Sequence, residues 1–208
     1  PDLTYFLASL LTELVVISLN MHGTRAVQRL VETVGANSAT EVELLKSALR
    51  GNVVTLVRDL NGNHIVQRAL VHMADNQFIF DEIAASVVLV ATHKHGCCVL
   101  QRCIEQGTMQ QKRQLAAEII KHALELVQVR LITVSFLFTV AFLLLQDQFA
   151  NYAVQFVLTD LRDANAIEAV CDNLLGHFAA LSTQKFSSNV VEKVSIPLDH
   201  VLSLWRFS

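Results

Sequence analysis

Proline and glycine are scarce, with two prolines and seven glycines among 208 residues. Many short strands joined by tight turns need more of both, so a strand-rich fold is disfavoured, and the abundance of Leu, Ala, Val, Gln and Glu points to helix. Cysteine is scarce too. Cys97, Cys98, Cys103 and Cys171 are too few and too unevenly spaced for a secreted disulfide framework or a paired CxxC zinc site, which suggests a reduced, intracellular setting. His93 and His95 precede Cys97, but a ligand cluster there competes with an ordinary repeat position, so neither a metal nor any other cofactor is expected. An excess of positive charge is also missing. Sixteen Lys and Arg against 19 Asp and Glu give a formal charge of −3, so bulk attraction to nucleic acid is excluded and any basic surface must be local. No secretory signal or initiator Met opens the chain, and Pro1 is expected to be an internal start within a longer protein. No nucleophile, acid–base pair or phosphate loop stands out, so no enzyme is expected.

What the chain does have is 52% apolar residues, enough for a sizeable core, and an internal repeat. The motif reads GTRAVQ at 23–28, GNHIVQ at 62–67, GCCVLQ at 96–101, ANYAVQ at 150–155 and SSNVVE at 187–192. Each copy has a small residue, a variable pair, two apolar residues or Ala-Val, and a closing Gln or Glu. Apolar stretches (LVVISL, VVTLV, SVVLVA, LELVQ, HFAAL) precede the copies, so one helix leads through a tight corner into the next. The small residue suits the crowded corner, and the variable pair occupies the first turn of the second helix, where side chains are expected to reach outward. The closing residues are 39, 34, 54 and 37 positions apart. Units of that length cannot bury their apolar faces alone and must stack on their neighbours, which predicts an all-α superhelix with a long concave surface.

The segments HGTRAVQRLVE, DLNGNHIVQRALV, THKHGCCVLQRCIE, DQFANYAVQFVL and QKFSSNVVEKV resemble second helices of Pumilio-type (PUF) repeats. The resemblance covers nearly the whole chain, and by order the copies look like repeats three to seven of eight. It implies a right-handed α-solenoid and a partial Pumilio homology domain over 1–208. The approximate repeats are 5–40, 41–77, 78–113, 114–167 and 168–194, followed by a divergent tail at 195–208. It also implies single-stranded RNA as the partner, read at about one base per repeat.

The first variable residue and the closing residue are four apart and share a helical face, while the residue between projects about 100° round. In the family the outer two touch the base edge and the middle one stacks. The resemblance therefore assigns base edges to Thr24 with Gln28, Asn63 with Gln67, Cys97 with Gln101, Asn151 with Gln155, and Ser188 with Glu192. Stacking falls to Arg25, His64, Cys98, Tyr152 and Asn189, of which Cys98 offers no planar group. Arg29, Arg68, Arg102 and Lys193 follow the motifs and suit phosphate contacts. A carboxylate only accepts hydrogen bonds, and guanine presents adjacent N1–H and N2–H donors, so Ser188 with Glu192 suits G. Asn with Gln suits uracil, and Cys97 with Gln101 resembles the family's adenine-reading pair. With the RNA antiparallel, as in the family, the expected reading is 5′-GUAUN-3′ within a UGUA-type element. Such polar faces are commonly only solvated; their recurrence in five units argues against that, although an inherited repeat would keep the pattern without binding.

The long interval contains VRLITVSFLFTVAFLLLQ at 129–146, whose removal restores the period of its neighbours. A membrane span needs about 20 apolar residues and would bisect a repeat; Leu131 to Leu145 supplies 15 without charge. A buried extra helix and unspliced sequence are the other readings. The last is preferred, because Val codons begin with GT and Gln146 can be encoded by CAG. For the whole protein the resemblance implies binding to untranslated regions of messages, with recruitment of decay or translation-repression factors, in the cytoplasm and without a membrane. The alternatives are a helical-repeat scaffold for proteins and a nucleolar PUF-like protein with loose RNA specificity.

Overall fold

The computed structural model describes residues 3–35, 39–123, 149–161 and 163–194. Every regular element among them is helical, and the chain divides into two compact units, 1–115 and 116–208.

In the first unit the helices are α1 (Leu3–Leu10), α2 (Leu14–Leu19), α3 (Gly23–Gly35), α4 (Ala39–Leu49), α5 (Val53–Arg58), α6 (Asn63–His72), α7 (Gln77–Ala85), α8 (Val87–Ala91) and α9 (Lys94–Gln106). Helix α10 (Met109–Lys121) crosses into the second unit. The short helices α2, α5 and α8 are the apolar stretches LVVISL, VVTLV and VVLVA, and each packs on the motif helix that follows it. The motif helices α3, α6 and α9 lie side by side, α6 between the other two. Their inward faces repeat at helical spacing: Val27, Val31 and Val34; Ile65, Val66, Ala69 and Leu70; Val99, Leu100 and Cys103 are all buried. Full burial of each aliphatic side chain stabilises by about 1.5–3 kcal/mol. The described segments thus add a third helix to the expected helix-corner-helix unit, with α4 packed on α2 and α3, and α7 on α5 and α8.

The corners explain the small residue. A Cβ at Gly23, Gly62 or Gly96 would lie 2.5, 2.9 or 2.1 Å from the carbonyl oxygen six residues upstream, on Ile17, Leu56 or Val90 respectively. No ordinary side chain fits so close to backbone. An Asx turn closes two of the corners. Asn20 Oδ1 accepts from the amides of His22 (2.8 Å) and Gly23 (3.1 Å), and Asp59 Oδ1 from those of Asn61 (2.7 Å) and Gly62 (2.8 Å). After α4, Gly51 turns the chain at a φ of +76°, in the left-handed region. The Glu82 carboxylate of α7 then accepts from the amides of Gly51 (2.7 Å) and Val53 (3.1 Å) at the N-terminus of α5. Lys46 of α4 is buried and pairs with Glu43 and Asp75, which holds its ammonium above, and the Asp75 carboxyl below, their ordinary values.

In the second unit, α11 (Ala150–Thr159) packs on α12 (Ala164–Leu174), and α13 (Phe178–Ser182) precedes a helix α14 at 187–194. Asp163 caps α12, its Oδ1 accepting from the amides of Asn165 (3.1 Å) and Ala166 (3.3 Å). Among the described residues no helix is long and apolar enough to cross a membrane. The segment 129–146 and the tail 195–208 lie outside them.

Candidate nucleic-acid interface

The motif turn has the same depth profile from copy to copy. The first variable residue is buried in four copies, with Thr24, Asn63, Cys97 and Asn151 all at or below 5% exposure, and Ser188 is half-buried. The middle residue (Arg25, His64, Cys98, Tyr152, Asn189) is exposed in all five. Closing residues sit at the lip: Gln28, Gln67 and Gln155 are half-buried, Gln101 and Glu192 exposed. The expected outward reach therefore belongs to the middle and closing residues. In the first three copies the first residue faces the corner, because the motif helix begins there and the preceding short helix packs on it.

What the first residue does is orient the fourth after it. Asn63 Nδ2 donates to the carbonyls of Asp59 and Leu60, both at 2.8 Å, and Asn63 Oδ1 accepts from Gln67 Nε2 at 2.9 Å. Two carbonyls demand donors, so the orientation of the Asn63 amide is fixed, and it turns the nitrogen of Gln67 inward. One N–H and the oxygen of Gln67 remain for a ligand. Gln155 Nε2 makes the same bond to Asn151 Oδ1. Gln28 Nε2 donates to Thr24 Oγ1 at 3.3 Å, and Thr24 Oγ1 donates onward to the carbonyl of Asn61 at 3.1 Å. The Ser188 hydroxyl donates to the Lys185 carbonyl at 3.3 Å, so its lone pairs are what it can offer outward.

In the first unit the three motif helices converge on a cleft of about 330 Å³ lined by Gln28, His64, Gln67, Arg68, Val71, Arg102 and Gln106. Five of these are candidate base-edge, stacking or phosphate residues from three different copies. Val71 and Gln106 were not anticipated; both fall on the lip face of their helices, four residues beyond Gln67 and Arg102, and that spacing is the signal that could have found them.

Three of the basic side chains at this surface have an acidic neighbour. Arg29 pairs with Glu32 at 3.0 Å, Arg68 reaches the same carboxylate at 3.3 Å from the adjacent helix, and Arg102 pairs with Glu105 at 2.7 Å. The hydrogen bond from Arg29, helped by the charge of Arg68, holds the Glu32 carboxyl below its usual range against the opposing effect of desolvation. Solvent-screened pairs of this kind stabilise little, so a phosphate can compete for the guanidinium groups. Lys193 is half-buried in the second unit.

The sequence model of the Pumilio-family RNA binding repeat matches residues 14–37, 52–84, 86–120 and 177–194, more than half of the chain. Putative pumilio homolog 8, chloroplastic, of Arabidopsis thaliana is 45% identical over 183 residues, covering 87% of this chain and 32% of its own. A Pumilio domain-containing protein of Schizosaccharomyces pombe is 44% identical over 190 residues, covering 90% and 25% respectively. Among solved structures, the Puf4 RNA binding domain bound to the HO endonuclease RNA 3′ UTR recognition sequence aligns at a TM-score of 0.72 and 35% identity, over 90% of this chain and 53% of that one. The RNA-binding domain of yeast Puf5p bound to AAT2 RNA aligns at 0.78 and 29% identity, over 99% and 54%. The chain thus has the fold of the Puf solenoid domains. It spans a third or less of these curated relatives and about half of each solved domain.

Proposed function

The chain belongs to the Pumilio family of RNA-binding repeat proteins, and from that premise we propose that it reads single-stranded RNA at about one base per repeat, with 5′-GUAUN-3′ as its preferred sequence. The observation that carries the reading is the convergence of Gln28, His64, Gln67, Arg68 and Arg102 on one cleft. A planar ring, two carboxamides and two guanidinium groups are the chemistry that stacking, edge recognition and phosphate neutralisation require. The hydrogen-bond directions support the base assignments. The donor and acceptor left on Gln67 and on Gln155 match the N3–H and O4 of uracil. The lone pairs of Ser188 and the Glu192 carboxylate match the N1–H and N2–H of guanine.

The division into repeats at about 5–40, 41–77, 78–113, 114–167 and 168–194 is part of this proposal. So is action in the cytoplasm on untranslated regions of messages, with recruited decay or translation-repression factors; none of it requires catalysis. Selection of bound RNAs from a random pool by the intact protein tests it. Enrichment of GUAU is expected. A pool without enrichment would refute it in favour of a protein-interaction scaffold, and enrichment of an unrelated sequence would refute the base assignments alone.

A further inference from the structure

We infer that Asn61, which belongs to the second copy, is a positioning residue for the base read by the first copy, and that it gives this base the same uracil preference as its neighbour. The inference rests on the RNA-reading function proposed above. The observation is a hydrogen-bond chain that crosses from one repeat to the next. The Asn61 side chain donates through Nδ2 to the carbonyl of Leu19, the last residue of α2, at 2.9 Å. Its own backbone carbonyl accepts from Thr24 Oγ1 at 3.1 Å. Thr24 Oγ1 in turn accepts from Gln28 Nε2 at 3.3 Å.

A threonine hydroxyl has one proton and can rotate to give it in several directions. Left alone beside Gln28, it could donate to the carboxamide oxygen or accept from the nitrogen, and the Gln28 amide would have two orientations. The Asn61 carbonyl removes that freedom. With the proton directed to it, the oxygen of Thr24 can only accept, so the nitrogen of Gln28 turns inward and its oxygen outward. This is the orientation that Asn63 Oδ1 imposes on Gln67. Gln28 and Gln67 line the same cleft, and both then offer one N–H and one carbonyl oxygen, the set that suits uracil in the second copy. Thr24 and Asn63 differ in chemistry, and it is the neighbouring corner that makes them equivalent. The Leu19 contact fixes where the Asn61 carbonyl sits.

The test measures binding of the intact protein to four RNAs that differ only at the base after GUAU, and to a second set that varies the base read by Asn63 and Gln67. The wild type should prefer GUAUU. Asn61→Ala keeps the carbonyl but loses the Leu19 bond that helps place it, and should lower discrimination at the fifth base by about twofold to threefold, the lower end of one net hydrogen bond, while discrimination at the fourth changes less than twofold. Thr24→Val, which removes the hydroxyl, should have the same position-specific effect and serves if Asn61→Ala fails to fold. A purely structural role would weaken all RNAs alike and leave the ratios intact, which would overturn the inference, as would a wild type indifferent to the fifth base. A wild type that binds none of the RNAs overturns the functional reading and this inference with it.

Discussion

Gly96→Ala should unsettle the third motif helix, and the corner geometry gives the size of the effect. The added methyl would sit 2.1 Å from the Val90 carbonyl oxygen, whereas ordinary contact begins near 3.4 Å, so the corner must open by more than an ångström. Overpacking against backbone costs about 1–3 kcal/mol, and a clash this deep belongs at the upper end. Replacing glycine in a helix returns about 0.5–1 kcal/mol, which leaves a net loss near 2 kcal/mol. At Gly62 the nearest approach is 2.9 Å and the clash costs about 1 kcal/mol, with no helix gain to offset it because Gly62 is the N-cap of α6. Gly23, at 2.5 Å, should fall between. Urea unfolding of each variant, followed by helical circular dichroism, reads the order directly. Because the shift displaces α9, binding to GUAUU should also lose discrimination at the third base, the adenine proposed for Cys97 and Gln101. Equal stabilities for Gly96→Ala and Gly62→Ala would refute this cause; Ala150, at the same motif position in the fourth copy, is itself fully buried.

Four further outcomes are expected. Ser188→Asn combined with Glu192→Gln should move the first base from G toward U, measured by competition between GUAUU and UUAUU; an unchanged preference sinks the assignment of that copy. Arg68→Ala with Arg102→Ala should reduce the slope of log affinity against log salt by about 1.4, or 0.7 per phosphate contact on a single strand; an unchanged slope removes both from the phosphate path. Asp75→Asn should destabilise by about 0.5–1 kcal/mol at neutral pH, since Asp75 is two-thirds exposed and Glu43 still serves Lys46. Asp75 titrates below its ordinary 3.8 when folded, so its contribution is complete above that value and disappears as pH falls through the folded one; that of Lys46, raised above 10.5, is complete below 10.5 and lost at still higher pH. The difference between wild type and Asp75→Asn, taken from urea midpoints, should therefore shrink below pH 3.8. Sequencing the transcript across codons 125 to 150 should return mature messages without codons 129–146, and abundant mature message containing them would defeat the splicing explanation.

The helical class, the repeat period and the small residue at the corner were all legible in the sequence, because each recurs and each has one dominant physical cause. The third helices were not. Segments such as ATEVELLKSAL and QFIFDEIAA share no motif, since packing against different neighbours asks only for an apolar stripe. Four-residue spacing put Asn63 and Gln67 on one face but could not give their depth, which depends on how closely the preceding short helix covers the first turn. The acidic partners Glu32 and Glu105 carry no motif of their own; only their place three positions beyond Arg29 and Arg102 on the same helix marks them. Asn20 and Asp59, three residues before their glycines, were available as a signal, and Asp147 repeats it in the fourth copy.

Glu32 has a consequence for selectivity. Shared by Arg29 and Arg68 on adjacent helices, it is a resident counterion that occupies the basic groups before any polyanion arrives. A stray polymer that offers only charge must evict it and regains little by doing so. On the proposed reading, an RNA whose bases also stack and pair along the row would gain enough elsewhere to displace it, and a single carboxylate would then filter out indiscriminate partners while leaving fitted ones admissible.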